Sequence, residues 1–171
     1  MEKLFFGRTA ETRLGKMWIA VSLRGLVAIE DAMSRAEFVA YLWKRFKRPA
    51  EETPERIQEA ARQVEAYLDG RRGGFDLPID WGALTPFQQA ALRATLAIPR
   101  GETRTYQQIA EQIGRPRAAR AVGRAEATNP LPLVIPCHRV VGTDGSLHGY
   151  GFGKGLKTKA WLQELEKKPA G

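Results

Sequence analysis

The stretch AARAVGRAEATNPLPLVIPCHRVVG, residues 118–142, decides how the second half of this chain is read. Its first ten residues read as a helix carrying Arg120 and Arg124. Asn129-Pro130 stops that helix, because proline lacks an amide donor and restricts the residue before it. The apolar run LPLVIPCHRVVG follows, interrupted by prolines, and reads as a buried strand on both sides of a turn, with Cys137 and His138 at its centre.

Working upstream, Thr105–Gln112 predicts a short helix closed by Gly114, and the turn GRPR joins it to the helix just described. Two short helices joined by a tight glycine-containing turn, with Arg117, Arg120 and Arg124 on or beside the second, have the outline of a helix-turn-helix. Thr85 caps a preceding helix, PFQQAALRATLAI, which Pro99 and the turn Arg100-Gly101 end. Before that lies the turn-rich segment RRGGFDLPIDWGALTP, the candidate linker, which places a domain boundary near residues 80 to 85.

The first 80 residues have a different texture. Leu4–Phe6 and Met17–Ile29 are rich in β-branched and aromatic residues and are broken by the turn signal Arg24-Gly25, so a small antiparallel sheet is expected. Ser34 then precedes RAEFVAYLWKRF, with Glu37 three residues on as a capping box and Phe38, Leu42 and Phe46 facing inward. Thr53-Pro54 starts a further helix, PERIQEAARQVEAYLDG, which ends at Gly70. The expected architecture is therefore a small α/β domain over 1–80 and a mostly helical domain over 85–171.

Composition narrows the function. The 171 residues carry a net charge of +8, and residues 80–171 hold 13 Lys/Arg against 7 Asp/Glu, whereas residues 1–79 hold 14 against 12. From Arg93 to Arg139 every Lys/Arg position is an arginine, eight in all, and the planar guanidinium fork suits phosphate oxygens and base edges. A polyanionic partner is the leading expectation; solubility alone is the plain alternative. No stretch approaches the roughly 18 unbroken apolar residues of a membrane span, and the N-terminus lacks a long apolar signal core, so no membrane role and a cytoplasmic location are expected.

One cysteine can form neither an internal disulfide nor a Cys-rich zinc site. No metal is expected, and packing or reactivity remain as its uses. A charged His-Arg pair directly after Cys137 sits awkwardly in a core, and Pro136 removes a ladder donor, so this segment should line a pocket. Thiolate is the nucleophilic form, which calls for a base or a positive field to lower the sulfur's pKa. His138 is the candidate base, through a water if the two side chains point apart, and Asp144, Glu164 or Glu166 could orient its ring. His148 reads as an exposed loop residue.

These residues carry a resemblance. From Thr85 to Glu166 the chain resembles the O6-alkylguanine-DNA alkyltransferases, or methylated-DNA-protein-cysteine methyltransferases, on FQQAALRATLAIPRGETRTYQQIA, IGRPRAARAVG, NPLPLVIPCHRVVGTDGSLHGYG and KAWLQELE in that order. The resemblance implies an RNase H-like N-terminal domain, a winged helix-turn-helix C-terminal domain, and a monomer that works without a cofactor on double-stranded DNA containing O6-alkylguanine, with O4-alkylthymine as a further substrate. It implies Cys137 as alkyl acceptor, His138 as its base through water, Glu166 holding the imidazole, and Asn129 bracing the active-site loop. It implies that Tyr106 donates to the departing guanine and that Arg120 fills the gap left by the flipped base, with Arg117, Arg124, Thr105 and Ala119 also on DNA. The carbonyls of Cys137 and Val140 would accept from the exocyclic amine, and Tyr150 would wall the pocket. A protein acting on O6 must extrude the nucleotide, and the thioether product offers no hydrolysis, so one turnover per molecule is implied.

Two positions depart from the family pattern. The loop YGFGKGLKTKAW is about two residues longer than the family's usual one, and Glu126 stands where an apolar or amide side chain is expected, so a carboxylate there could repel phosphate or narrow the accepted alkyl groups. Two other functions remain open to the sequence. A damage-binding relative without chemistry would lack the acceptor cysteine, and a Cys-His hydrolase would leave the helix-turn-helix and the arginines unexplained.

Overall fold

The computed structural model describes all 171 residues, and the chain divides into two compact units, Met1–Ala83 with the terminal Gly171, and Leu84–Ala170. No helix is long and apolar enough to cross a membrane.

In the first unit, β1 (Leu4–Arg8), β2 (Trp18–Ser22) and β3 (Gly25–Glu30) form an antiparallel meander. A strand that the sequence did not signal, β4 (Ala50–Glu52), joins β1 in parallel, giving the order β3-β2-β1-β4. Helix α1 (Arg35–Phe46) begins with the expected capping box: Ser34 Oγ accepts from the Glu37 amide at 3.1 Å, and the Glu37 carboxylate accepts from the Ser34 amide at 2.7 Å. Its buried face brings Phe38 against Phe6 and Trp18, with ring centroids 5.8 and 5.7 Å away. The segment after Thr53 opens as a 3-10 turn (Pro54–Ile57) before continuing as α2 (Gln58–Leu68).

The turn-rich segment expected as a linker is pinned to this unit along its length. Asp76 exchanges two hydrogen bonds with the buried Gln63 side chain, and Ile79 bridges Leu26 at the edge of β3. Gly25 makes that approach possible: its φ is +140°, and a Cβ there would lie 2.4 Å from the Pro78 carbonyl oxygen. The buried Asp80 carboxylate accepts from Ser22 at 2.7 Å and from Arg48 at 3.1 Å.

The second unit packs α3 (Pro86–Leu96), α4 (Tyr106–Gln112) and α5 (Ala119–Ala127) around Ala94, Ile98, Ile109, Ala110, Val122 and Val140. Thr85 and Thr105 each cap their helix with a glutamine at the third position, so three helices of the chain start on the same reciprocal device. The run LPLVIPCHRVVG is not the strand its apolar composition suggests. Residues 131–135 form turns, Cys137–Arg139 form a 3-10 turn, and only β6 (Val140–Val141) is extended, paired in parallel with β5 (Arg104–Thr105). Three prolines in seven residues withhold the amides that a ladder needs, and side-chain bonds from Asn129 replace it. Helix α6 (Leu156–Lys167) closes the unit.

Truncating Phe38 to alanine empties the centre of the aromatic cluster of the first unit. The expected cost is about 3–5 kcal/mol, read as a lowered urea midpoint with unchanged m-value.

Candidate active site

Cys137 opens the 3-10 turn, 7% exposed, with its thiol free of any disulfide. The turn is held from upstream by Asn129, two residues beyond the end of α5. Asn129 Nδ2 donates to the Ile135 carbonyl at 3.0 Å and its Oδ1 accepts from the Leu131 amide at 2.9 Å. Between them Leu133 takes φ +74°, a left-handed conformation that costs a side-chain-bearing residue of order 1 kcal/mol and persists only where the surroundings impose it.

From below, the turn is anchored by α6. His138 is fully buried, and its Nε2 bonds Glu166 Oε1. Arg139 grips the same carboxylate through Nε, 2.9 Å from Oε2, and through Nη2, while its Nη1 donates to the Ile98 carbonyl at 2.6 Å. Gln163, one turn earlier on α6, donates to the His138 carbonyl at 2.8 Å. The charged pair that sits awkwardly in a core is thus neutralised by one buried glutamate. Asp144 instead binds Ser146, and Glu164 pairs with Lys167 at the surface, so of the three acidic candidates only Glu166 meets the imidazole.

Burial raises the cost of Glu166's charge, but the bonds from His138 and Arg139 outweigh it and hold the carboxyl at about 2. An ionised carboxylate only accepts, so Nε2 must carry the hydrogen, and burial keeps the ring below its ordinary pKa and neutral. The other nitrogen, Nδ1, therefore holds the basic lone pair.

The match to proteins of known type follows these residues. The family model described as the 6-O-methylguanine DNA methyltransferase DNA binding domain matches residues 86–168, and the ribonuclease-like domain of the same proteins matches residues 6–81. The chain belongs to this family. It is 42% identical over 159 residues to the methylated-DNA--protein-cysteine methyltransferase of Methanosarcina barkeri, covering 92% of this chain and 94% of that one. The constitutive methyltransferase of that name from Bacillus subtilis is 38% identical over 93% of both chains. Among solved structures, the Mycobacterium tuberculosis O6-methylguanine methyltransferase superposes with a TM-score of 0.77 at 34% identity, covering 98% of this chain and 96% of that one. The M. tuberculosis OGT in complex with DNA gives 0.77 at 36% identity over 95% and 93%. The expected fold class, a ribonuclease-like N-terminal domain followed by a helical DNA-binding domain, is that of these methyltransferases.

Around the methyltransferase cysteine, Tyr106 heads α4 half-buried, Val140 is fully buried in β6, and Tyr150 is buried beside Phe152. Arg117, Arg120 and Arg124 stand exposed, the last two one turn apart on α5, while Thr105 and Ala119 mark the starts of α4 and α5. The longer loop before α6 folds on itself. Gly153, at φ +59°, leaves no room for a Cβ beside Thr158, whose hydroxyl accepts from the Lys154 amide at 2.8 Å. His148 is exposed, as expected of a loop residue, yet its ring lies edge-on to Tyr106 with centroids 6.4 Å apart.

Two charged residues in the same interior were not anticipated there. Lys159 is 1% exposed, donates to the His148 carbonyl at 2.8 Å and lies 5.9 Å from the Tyr106 ring centroid. Glu126, for which either repulsion of phosphate or a narrowed choice of alkyl groups was open, is 6% exposed and bonds Thr95 inside the helical core. Both occupy the apolar stripe of their helix, Lys159 with Leu162 and Glu126 with Val122, and a charge at such a spacing was the available signal. The resting sulfur is not ionised, contrary to the expectation of a lowered pKa. Burial, aided by the Glu126 carboxyl once it is ionised, pushes the Cys137 thiol up to about 12, and the Asn129 hydrogen bond and the Lys159 ammonium only partly oppose this.

Glu166 has a pH signature. Its folded value of about 2 lies below the ordinary 4.5, so its contribution is present above pH 4.5 and is lost as pH falls toward 2. Glu166→Gln should cost about 3 kcal/mol at pH 7, and urea denaturation should show the gap from the unmodified protein closing as pH approaches 2.

Proposed function

We propose that the protein repairs double-stranded DNA by moving an alkyl group from the O6 oxygen of guanine to the sulfur of Cys137, irreversibly and once per molecule. The observation that carries this reading is the buried bond between His138 Nε2 and the Glu166 carboxylate. Glu166 fixes Nε2 as the protonated nitrogen and so makes Nδ1 a base, one residue from the chain's only cysteine. The names of its relatives, which specify methylated DNA and a protein cysteine, support the same chemistry, as does the DNA complex of the M. tuberculosis protein.

In the reaction the thiol proton passes through a water to His138 Nδ1, and the sulfur attacks the alkyl carbon. The S–C bond forms as the C–O6 bond breaks, and the electron pair returns to guanine, where a hydrogen bond from the Tyr106 hydroxyl to the ring offsets the developing charge. The carbonyls of Cys137 and Val140 hold the exocyclic amine, and Tyr150 walls the pocket. Asn129 keeps the loop in register with α5. Arg120 enters the duplex where the nucleotide has left, and Arg117, Arg124 and the helix starts at Thr105 and Ala119 meet the backbone. No step needs a cofactor, and no group of three His, Cys, Asp or Glu is placed to hold a metal ion. O4-alkylthymine presents the same leaving oxygen. A nucleophile that must stay reduced suits the cytoplasm, where we place a monomeric protein.

Incubation with a duplex containing O6-methylguanine should add the mass of one methyl group to Cys137, measured on the intact protein and its peptides. An unmodified cysteine after prolonged exposure would overturn the reading. Arg120→Ala should slow reaction with duplex DNA at least tenfold more than reaction with free O6-benzylguanine, because only the duplex requires extrusion; about 1.4 kcal/mol of lost compensation gives that factor.

A further inference from the structure

Glu126 is a buried acid that the mechanism above does not use. It projects from α5 into the core of the second unit, where Thr95 of α3 is its one hydrogen-bond partner; Glu126 Oε2 is buried with no partner at all. The shortage of donors around the carboxyl favours its neutral form. The Thr95 hydroxyl has one proton, and it contacts two oxygens: the Ala91 carbonyl, 3.0 Å away and able only to accept, and Glu126 Oε1. That one proton is all that Thr95 can offer, so the Glu126 carboxyl receives at most one hydrogen bond, at Oε1. A carboxylate would leave Oε2 as a desolvated anionic oxygen with no donor, an arrangement that buried charges avoid.

The groups that face Glu126 are the reacting ones. Besides Thr95 they are Tyr106 at the head of α4, Cys137 in the 3-10 turn and Lys159 on α6, and each is coupled electrostatically to it. An anion at this position acts against both reacting groups: it opposes formation of a thiolate at Cys137 and stabilises the proton that the Tyr106 hydroxyl must share with the leaving base. It also draws the field of the Lys159 ammonium away from the sulfur. Burial raises the Glu126 carboxyl to about 8, in agreement with its enclosure and the partnerless Oε2.

We propose that Glu126 is a positioning residue for alkyl transfer that works as a neutral carboxylic acid, held by Thr95 so that Lys159, and no anion, sets the field at the Cys137 sulfur. The inference rests on the alkyl-transfer reading and adds to it a dependence on one further proton. Ionising Glu126 slows the transfer although the same rise in pH favours the thiolate, and glutamine, which keeps the shape and cannot ionise, escapes that loss.

The experiment compares the full-length protein with E126Q in single-turnover reactions on a duplex containing O6-methylguanine, from pH 6 to pH 9. The ratio of rates, variant over unmodified, is expected within twofold of one at pH 6. It should climb through pH 8 to about tenfold at pH 9, where one protein in about ten retains the proton. A ratio that stays flat with pH, or a variant slower at every pH, overturns the proposal while leaving alkyl transfer intact. Absence of methyl transfer by the unmodified protein at every pH overturns both. Should E126Q fail to fold, a carbon NMR titration of the unmodified protein decides the matter. A Glu126 carboxyl signal that stays in its protonated position through pH 7 supports the inference, and one that titrates below pH 5 refutes it.

Discussion

A single buried carboxylate organises the second unit. Glu166 accepts from the imidazole of His138 and twice from the guanidinium of Arg139, and through these bonds the last helix holds the whole 3-10 turn that begins at Cys137. Burying three such groups separately would be prohibitive, since a lone interior charge costs several kcal/mol. Buried together, the Glu166 carboxylate and the Arg139 guanidinium offset each other's charge, and the arrangement favours Nε2 as the nitrogen of His138 that carries the hydrogen. Structure and proposed chemistry here share one set of bonds, because the carboxylate that keeps Arg139 in the core also bonds the ring proposed as the base.

The helices serve this turn from the other side. α5 ends two residues before Asn129, whose amide replaces the backbone ladder that the prolines deny to residues 130–136, and the same helix offers Arg120 and Arg124 to the exterior. One element thus reaches from an exposed basic face to the loop that carries the sulfur. The parallel pair of β5 and β6 ties the start of α4, and with it Tyr106, to the residues just after the turn. A displacement of either helix is therefore felt within a few residues of Cys137.

Much of this was legible in the sequence because it is local. Capping boxes at Ser34, the threonine caps at Thr85 and Thr105, and the stop at Asn129-Pro130 need only neighbours a few residues away, and each helix begins and ends close to where such signals stand. What escaped was settled by distant partners. β4 has no pattern of its own and exists because β1 offers it an open edge. The proline-rich run looked like a strand because composition reports burial but not hydrogen bonding. For Glu166, sequence narrowed the partner of His138 to three acids, and the family resemblance pointed to the one that the fold brings in. The sequence marked Glu126 as a departure from an apolar or amide position and did not single out Lys159; the packing of the helices encloses both.

The protonated, nearly inaccessible state of Cys137 sulfur has a consequence for the protein's lifetime between encounters with damage. Peroxides and stray electrophiles attack the ionised form of a thiol, so a sulfur held neutral in the interior is slow to be consumed by them. A molecule that carries one acceptor and no means of renewing it can wait in a chemically hostile cell with its capacity intact, and this patience comes from the same burial that makes the sulfur hard to ionise.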